Sequence, residues 1–150
     1  MRAVIQRVKR ASVRIDGITR SQISKGLLIL LGIEDRDNGE DIEWLCNKIV
    51  QLRVFDDKDG TMNLPVTEIA GNIMIISQFT LHAKTKKGNR PSYIRAARPE
   101  TAIPLYNSFI KTISSLMGKE VSTGEFGAMM DVELVNDGPV TIFIDTKEKE

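Results

Sequence analysis

The sequence predicts one α/β domain, a curved or closed, β-barrel-like sheet with two helices packed on it. Three observations predict it. Apolar residues alternate at period two, or run unbroken between glycines, over the first 33 residues and again after residue 71. Two other stretches, one after Asn38 and one after Arg98, repeat apolar residues at helical spacing. No repeat and no low-complexity linker divides the 150 residues, whose 41% hydrophobic content suits one domain of ordinary size.

Taken in order, Ala11, Val13 and Ile15 alternate with Ser12, Arg14 and Asp16, and Asp16-Gly17 supplies two residues tolerant of positive φ for a hairpin turn before Ile18. Gly26 and Gly32 bracket Leu27-Leu28-Ile29-Leu30-Leu31, a strand expected to be buried on both faces. Asn38 is the expected N-cap of the first helix, with Glu40 and Asp41 opposing the positive helix end and Ile42, Leu45, Cys46, Ile49 and Leu52 on the apolar face. A second buried strand is expected from Asn72 to Leu81. Pro104 lacks an N–H, so the second helix is expected to take Thr101 as N-cap, with Pro104 in the first turn. Its buried stripe is read as Ile103, Tyr106, Phe109, Ile110, Ile113 and Met117, ended by Gly118. Two last strands, Met129 to Asn136 and Val140 to Asp145, are expected to flank Asp137-Gly138-Pro139. The domain is read as residues 1–146, with 147–150 as a disordered tail.

Net charge is only +1, so whole-chain charge points to neither a polyanion nor a membrane partner. The average hides an asymmetry. Residues 1–25 carry seven basic side chains and one acid, and residues 82–98 carry six basic and no acid, leaving the rest of the chain strongly acidic. One cysteine cannot form an internal disulfide, no run approaches the roughly 18 apolar residues of a membrane span, and Arg2 and Arg7 interrupt what would have to be a signal peptide's apolar stretch. These features predict a soluble cytoplasmic protein.

Side chains of the usual catalytic kinds are few. The single histidine, His82, lies two residues from Thr80, on the same strand face if the strand continues, but no carboxylate lies near in sequence to orient it. It reads as a surface residue at a strand end, and Cys46 as a small buried thiol. One Cys and one His cannot assemble a zinc site within a chain. Asp56-Asp57-Lys58-Asp59-Gly60 has clustered carboxylates before a glycine, but EF-hand register would put Phe55 and Val66 at the first and twelfth positions, so it reads as an exposed acidic turn. No phosphate-cradling glycine motif is present. Neither a metal nor a cofactor is expected. The loop holding Lys84, Lys86, Lys87, Arg90, Arg95 and Arg98 around Tyr93 suits either a phosphate backbone or plain solvent. Ser77-Gln78-Phe79-Thr80-Leu81 puts polar groups at the end of an apolar strand, and Asp137-Gly138-Pro139 reads as a turn; taken singly, neither motif decides a function.

Together they carry a resemblance. The chain is similar, over essentially its whole length, to the D-aminoacyl-tRNA deacylases, with Ser77 to Leu81 resembling the first signature of that family and Asn136-Asp137-Gly138-Pro139-Val140-Thr141 the second. Ile5-Gln6-Arg7-Val8, Gly26-Leu27-Leu28, Met62-Asn63-Leu64, Arg90-Pro91-Ser92 and Gly124-Glu125-Phe126-Gly127-Ala128 add to it. The departures are Tyr93, where Phe is frequent, and Met129, where an acid is often seen.

The resemblance implies a homodimer that hydrolyses the ester joining a D-amino acid, or glycine, to the 3′ end of tRNA. Ser77, Gln78, Phe79 and Thr80 would form the catalytic strand end. Gly138 and Pro139, joined by a cis bond, would enter the pocket of the other subunit and exclude an L side chain. The terminal ribose 2′-hydroxyl would help to activate water, and Lys84, Lys86, Lys87 and Arg90 would hold tRNA phosphates. The alternative reading is a small RNA-binding module without enzymatic activity.

Overall fold

The computed structural model describes Met1 to Glu150. The long strand β1 (Arg2–Ile15) is the spine of the sheet. Its first half pairs antiparallel with β3 (Gly26–Gly32), its second half with β2 (Ile18–Ile23). The hairpin between β1 and β2 turns through Asp16 and Gly17, both at positive φ, with Ile15 opposite Ile18. After α1 (Gly39–Gln51) and the small hairpin of β4 (Phe55–Asp56) and β5 (Met62–Leu64), β6 (Asn72–Ser77) lies parallel to β3. Then come α2 (Pro99–Met117), β7 (Ser122–Thr123), parallel to β6, and β8 (Asp131–Asp145), antiparallel along the other edge of β1. The Ser21 hydroxyl of β2 donates to the Thr123 carbonyl of β7 at 2.6 Å, so the two ends of the sheet nearly meet and the sheet approaches a closed barrel.

Period-two geometry explains the continuous apolar runs. Leu27, Ile29, Leu31, Ile73 and Ile75 face the helices and pack with Leu45, Ile49, Phe109 and Ile113, while Leu28, Met74 and Ile76 point the other way, with Val8, Val13 and Ile23. Both faces are buried, as expected. At the start of β3 the strands approach so closely that a Cβ on Gly26 would lie 1.8 Å from the Asn72 carbonyl oxygen, so only glycine fits. Asn38 caps α1 by accepting from the Glu40 N–H at 2.8 Å, and the Asp41 carboxylate accepts from the Asn38 N–H at 3.0 Å, a reciprocal box.

Four expectations are corrected. The strand expected to reach Leu81 stops at Ser77, because the chain turns into a 3-10 turn over Phe79–His82. The second helix begins two residues before Thr101, with Pro99 in its first turn; Pro104 sits inside it, where the Glu100 carbonyl it leaves unpaired lies on an exposed stretch open to water. Ala102, not Ile103, shares the buried stripe with Tyr106, Phe109 and Ile113, four, seven and eleven residues on along the same helix face. Asp137-Gly138-Pro139 is no hairpin turn, since β8 passes through it as one strand. Near the end of the chain the Lys147 ammonium donates to the Asp41 carboxylate at 2.7 Å and to the Arg36 carbonyl at 3.1 Å. Burial works against the Asp41 charge, but hydrogen bonds from Lys147, Thr146 and Asn38 outweigh it and hold the carboxyl below its ordinary range.

Candidate active site

β6 delivers Ser77 and Gln78 to the end of the sheet. The Gln78 N–H donates to the Leu31 carbonyl at 2.7 Å, which continues the parallel ladder one residue beyond the strand. The 3-10 turn that follows closes through Leu81 N–H to Gln78 O and Ala83 N–H to Thr80 O. A turn of this kind leaves its first N–H groups, those of Phe79 and Thr80, without an acceptor inside it. The Gln78 side-chain amide donates to the Thr80 hydroxyl. Beside these groups lies a cavity of about 310 Å³, bordered by Ser77, Gln78 and Phe79, by Ala97 and Ala102 at the entry to α2, and by the segment from Phe126 to Met130. Apolar walls with one polar edge are the ordinary make-up of a small-ligand site. Met129 stands on its rim, 90% exposed.

His82 is not the surface residue expected. It is 1% exposed, and its Nε2 has no hydrogen-bond partner. Burial depresses its pKa below the ordinary 6.5, and the nearby charge of Arg2 adds to this, against a backbone hydrogen bond with Gly32 and the charge of Glu34. It therefore stays neutral, while the Thr80 hydroxyl is bonded to Gln78 instead. A histidine with a lowered native pKa makes the unfolded chain bind more protons. Its contribution to stability is thus complete above pH 6.5 and lost as pH falls through 6.5 toward the native value. The urea midpoint is expected to fall between pH 7 and pH 5, and to fall less in His82→Gln. Asp41 and Asp145, both held below 3.8, act only under more acid conditions.

Cys46 is the buried thiol expected: it has no exposed surface, burial pushes its pKa up to about 12, and its Sγ lies 3.7 Å from the Phe109 carbonyl. The acidic turn is also as read. The Asp57 carboxylate accepts from the N–H groups of Thr61 and Asp59 and from the Asn63 amide, bonds that hold its pKa down.

The second motif leaves the sheet by a bulge. Gln6 pairs with Thr141 and Val8 with Asn136, so four residues, Asp137 to Val140, stand opposite the single residue Arg7. Gly138 and Pro139 are pushed outward and exposed, joined by a cis peptide bond. Asn136 clamps the neck: its Oδ1 accepts from the Val140 N–H at 3.0 Å and its Nδ2 donates to the Thr141 hydroxyl at 3.1 Å. Arg7, 7% exposed, holds the base, donating from Nε to the Asp137 carbonyl at 3.0 Å and from Nη1 to the Val54 carbonyl at 2.6 Å, with Asp56 and Asp137 as ion partners. Arg7 was legible as more than part of a similar stretch. It shares the inward face of β1 with Ala3 and Ile5, and a cation at a core-facing strand position signals buried partners.

One chain does not bring the two motifs together. Ser77, the last residue of β6, lies beside Leu31, whereas Asn136 lies beside Val8, which faces Gly26. Five strand residues, about 17 Å, separate those two levels of the sheet.

The basic loop folds back on itself. Lys84 and Ser92 exchange both backbone hydrogen bonds, at 2.8 and 3.0 Å, and Lys86, Lys87 and Arg90 lie exposed in the loop so closed. These cations have no ion partner, whereas Arg2 and Arg7 in the amino-terminal basic stretch are spent on Asp145, Asp56 and Asp137. No helix is long and apolar enough to cross a membrane.

Fold and site together define a small protein with a barrel-like sheet and a ligand-sized cavity at one strand end. Residues 4–145 match the family model described as D-Tyr-tRNA(Tyr) deacylase. Curated proteins named D-aminoacyl-tRNA deacylase are 67% identical in Bacteroides fragilis (strain YCH46) and 61% identical in Flavobacterium psychrophilum, each over 150 residues and the full length of both chains. The chain belongs to the D-Tyr-tRNA(Tyr) deacylase family. A solved structure titled c-Myc DNA Unwinding Element Binding Protein superposes with a TM-score of 0.92 at 40% identity, covering 97% of this chain and 98% of that one. Another, titled as a probable eukaryotic D-amino acid tRNA deacylase, shares the fold with a TM-score of 0.81 at 16% identity, over 95% and 97%. Membership sets aside the reading as a binding module without enzymatic activity.

Proposed function

We propose that the protein hydrolyses the ester between a D-amino acid, or glycine, and the 3′ end of tRNA, in the cytoplasm and as a homodimer. The observation that carries this reading is the distance between its two signature motifs. Gly138 and Pro139 are exposed on a bulge opposite Arg7, which pairs with Leu27, four strand residues or about 13 Å along the sheet from the level of Ser77, so a second copy must present them if they are to meet that strand end. The edge of β8 away from β1 has no strand partner in the chain, and docking a second copy there covers an edge that is otherwise open to association.

An aminoacyl ester is already activated, so the enzyme has mainly to place water and stabilise the oxyanion. The N–H groups of Phe79 and Thr80 serve the oxyanion, and the terminal nucleoside fills the apolar cavity. The Gly138 and Pro139 carbonyls from the partner subunit take the α-ammonium and leave no room for an L side chain, while glycine, having none, is accepted. A wall of this kind rejects by shape, so one site serves many D side chains. The ribose 2′-hydroxyl assists the water, since no protein base touches Thr80. D- and L-tyrosyl-tRNA offered side by side test the reading: release from the D ester with turnover, and none from the L ester, is expected, and ready cleavage of the L ester overturns it.

The Thr80 hydroxyl, held by the Gln78 amide, sets geometry and does not attack. Thr80→Ala is expected to lower kcat by roughly tenfold, far less than the roughly 10⁴-fold or more that follows loss of a covalent nucleophile. An acyl-Thr80 adduct trapped by acid quench and found by mass spectrometry would contradict it.

Lys84, Lys86, Lys87 and Arg90 hold tRNA phosphates. Replacing all four by Ala is expected to weaken tRNA binding and to flatten the plot of log K against log salt by about 0.7 to 0.9 for each phosphate no longer neutralised. Filter binding at several salt concentrations measures the slope. An unchanged slope would make the loop a solvated surface.

A further inference from the structure

Two exposed aromatic rings beside the cavity have no part in the fold. Phe79 is 56% exposed and Tyr93 40%, and neither packs on either hydrophobic core. They pack on each other, edge to face, with centroids 5.1 Å apart. Phe79 borders the cavity, so Tyr93 is the next surface met on leaving the cavity over Phe79.

The position of Tyr93 is anchored. It follows Ser92, whose two backbone hydrogen bonds with Lys84 close the basic loop. Its own carbonyl accepts from the Ala96 N–H at 2.9 Å, and Ala97 N–H donates to Ile33 O at 2.9 Å. Ile33 and Ala97 both border the cavity, so the ring is tied to the cavity wall on one side and to the cations on the other. Exposed aromatics beside a lane of unpaired cations are the arrangement that binds single-stranded nucleic acid, the rings stacking on bases and the cations tracking phosphates. An acidic or apolar peptide would not need flat rings, and a duplex would not offer base faces.

We propose that Tyr93, backed by Phe79, is a stacking platform for the second unpaired base of the RNA 3′ end, next to the terminal nucleoside in the cavity. This rests on the reading that the substrate is the 3′ end of an RNA, and it adds an interaction outside the reacting unit. Stacking is indifferent to base identity, so the platform adds affinity and register for any penultimate base.

The experiment compares D-tyrosyl esters of adenosine and of the trinucleotide CCA on the wild-type protein, Tyr93→Ala and Tyr93→Phe. For the wild type, kcat/KM is expected to be higher on the trinucleotide. Tyr93→Ala is expected to lose about tenfold on the trinucleotide and nothing on the adenosine ester, while Tyr93→Phe, which keeps the ring, retains wild-type values. A deacylated trinucleotide with 2-aminopurine at its middle position adds a direct reading: its fluorescence is expected to be quenched on binding to the wild type and to Tyr93→Phe, but not to Tyr93→Ala. Equal trinucleotide kinetics for wild type and Tyr93→Ala, or an equal loss on both esters, would overturn the platform while leaving the deacylase reading intact. Failure of the wild type to cleave either ester or D-tyrosyl-tRNA would overturn that reading, and the platform with it.

Discussion

Gly138→Ala is expected to lower kcat/KM on D-tyrosyl-tRNA by about 100-fold, the loss typical of a reacting geometry displaced by about 1 Å. Gly138 has φ +127°, a backbone conformation that L side chains rarely adopt, so any other residue strains the bulge whatever the space around it. Space is short as well. A Cβ there would lie 2.9 Å from Arg7 Nη2 and 3.0 Å from the Val140 Cγ2 methyl carbon. Arg7 cannot retreat freely, because its guanidinium is held by the Asp137 and Val54 carbonyls. The bulge must therefore shift, and with it the two carbonyls proposed to hold the α-ammonium. Thermal unfolding separates this from collapse of the fold: the variant is expected to lose about 1–3 kcal/mol, the usual scale for one strained residue. Wild-type turnover in Gly138→Ala would show that the bulge does not shape the substrate pocket.

Substrate ending in 2′-deoxyadenosine is expected to react about 10²- to 10⁴-fold more slowly than the ribo form, the range that a positioned acid-base group contributes. The chain offers no replacement at the strand end. The amide of Gln78 is not a base, the Thr80 hydroxyl is already bonded to it, and His82 is buried with its free nitrogen unbonded to either. Binding should survive, since the cavity walls and the basic loop make no demand on that hydroxyl. Single-turnover rates with matched tRNAs test this, and equal rates would remove the RNA from the catalytic step.

Both expectations depend on features legible in the sequence to different degrees. The turn at Asp16-Gly17, the cap at Asn38 and the two strands buried on both faces are local effects, set by φ preference, side-chain hydrogen bonding and period-two packing, and they lie where the sequence puts them except for the far end of the second strand, which stops at Ser77. The motif residues at Ser77 to Thr80 and at Gly138-Pro139 are likewise recognisable from the chain alone. Local signals misled where a distant partner decided. His82 looks solvent-facing until β1 and β3 close over it. Asp137-Gly138-Pro139 has the composition of a turn, yet the backbone runs on as strand because β1 pairs with it on both sides of Arg7. Which end of the sheet each motif occupies, and so whether one chain can join them, is set by register between distant strands: β3 with β6 for the first motif, and β1 with β8, more than a hundred residues away, for the second. Local preferences act over a few residues, and the pairing of Gln6 with Thr141 and of Val8 with Asn136 exists only once the whole barrel has closed.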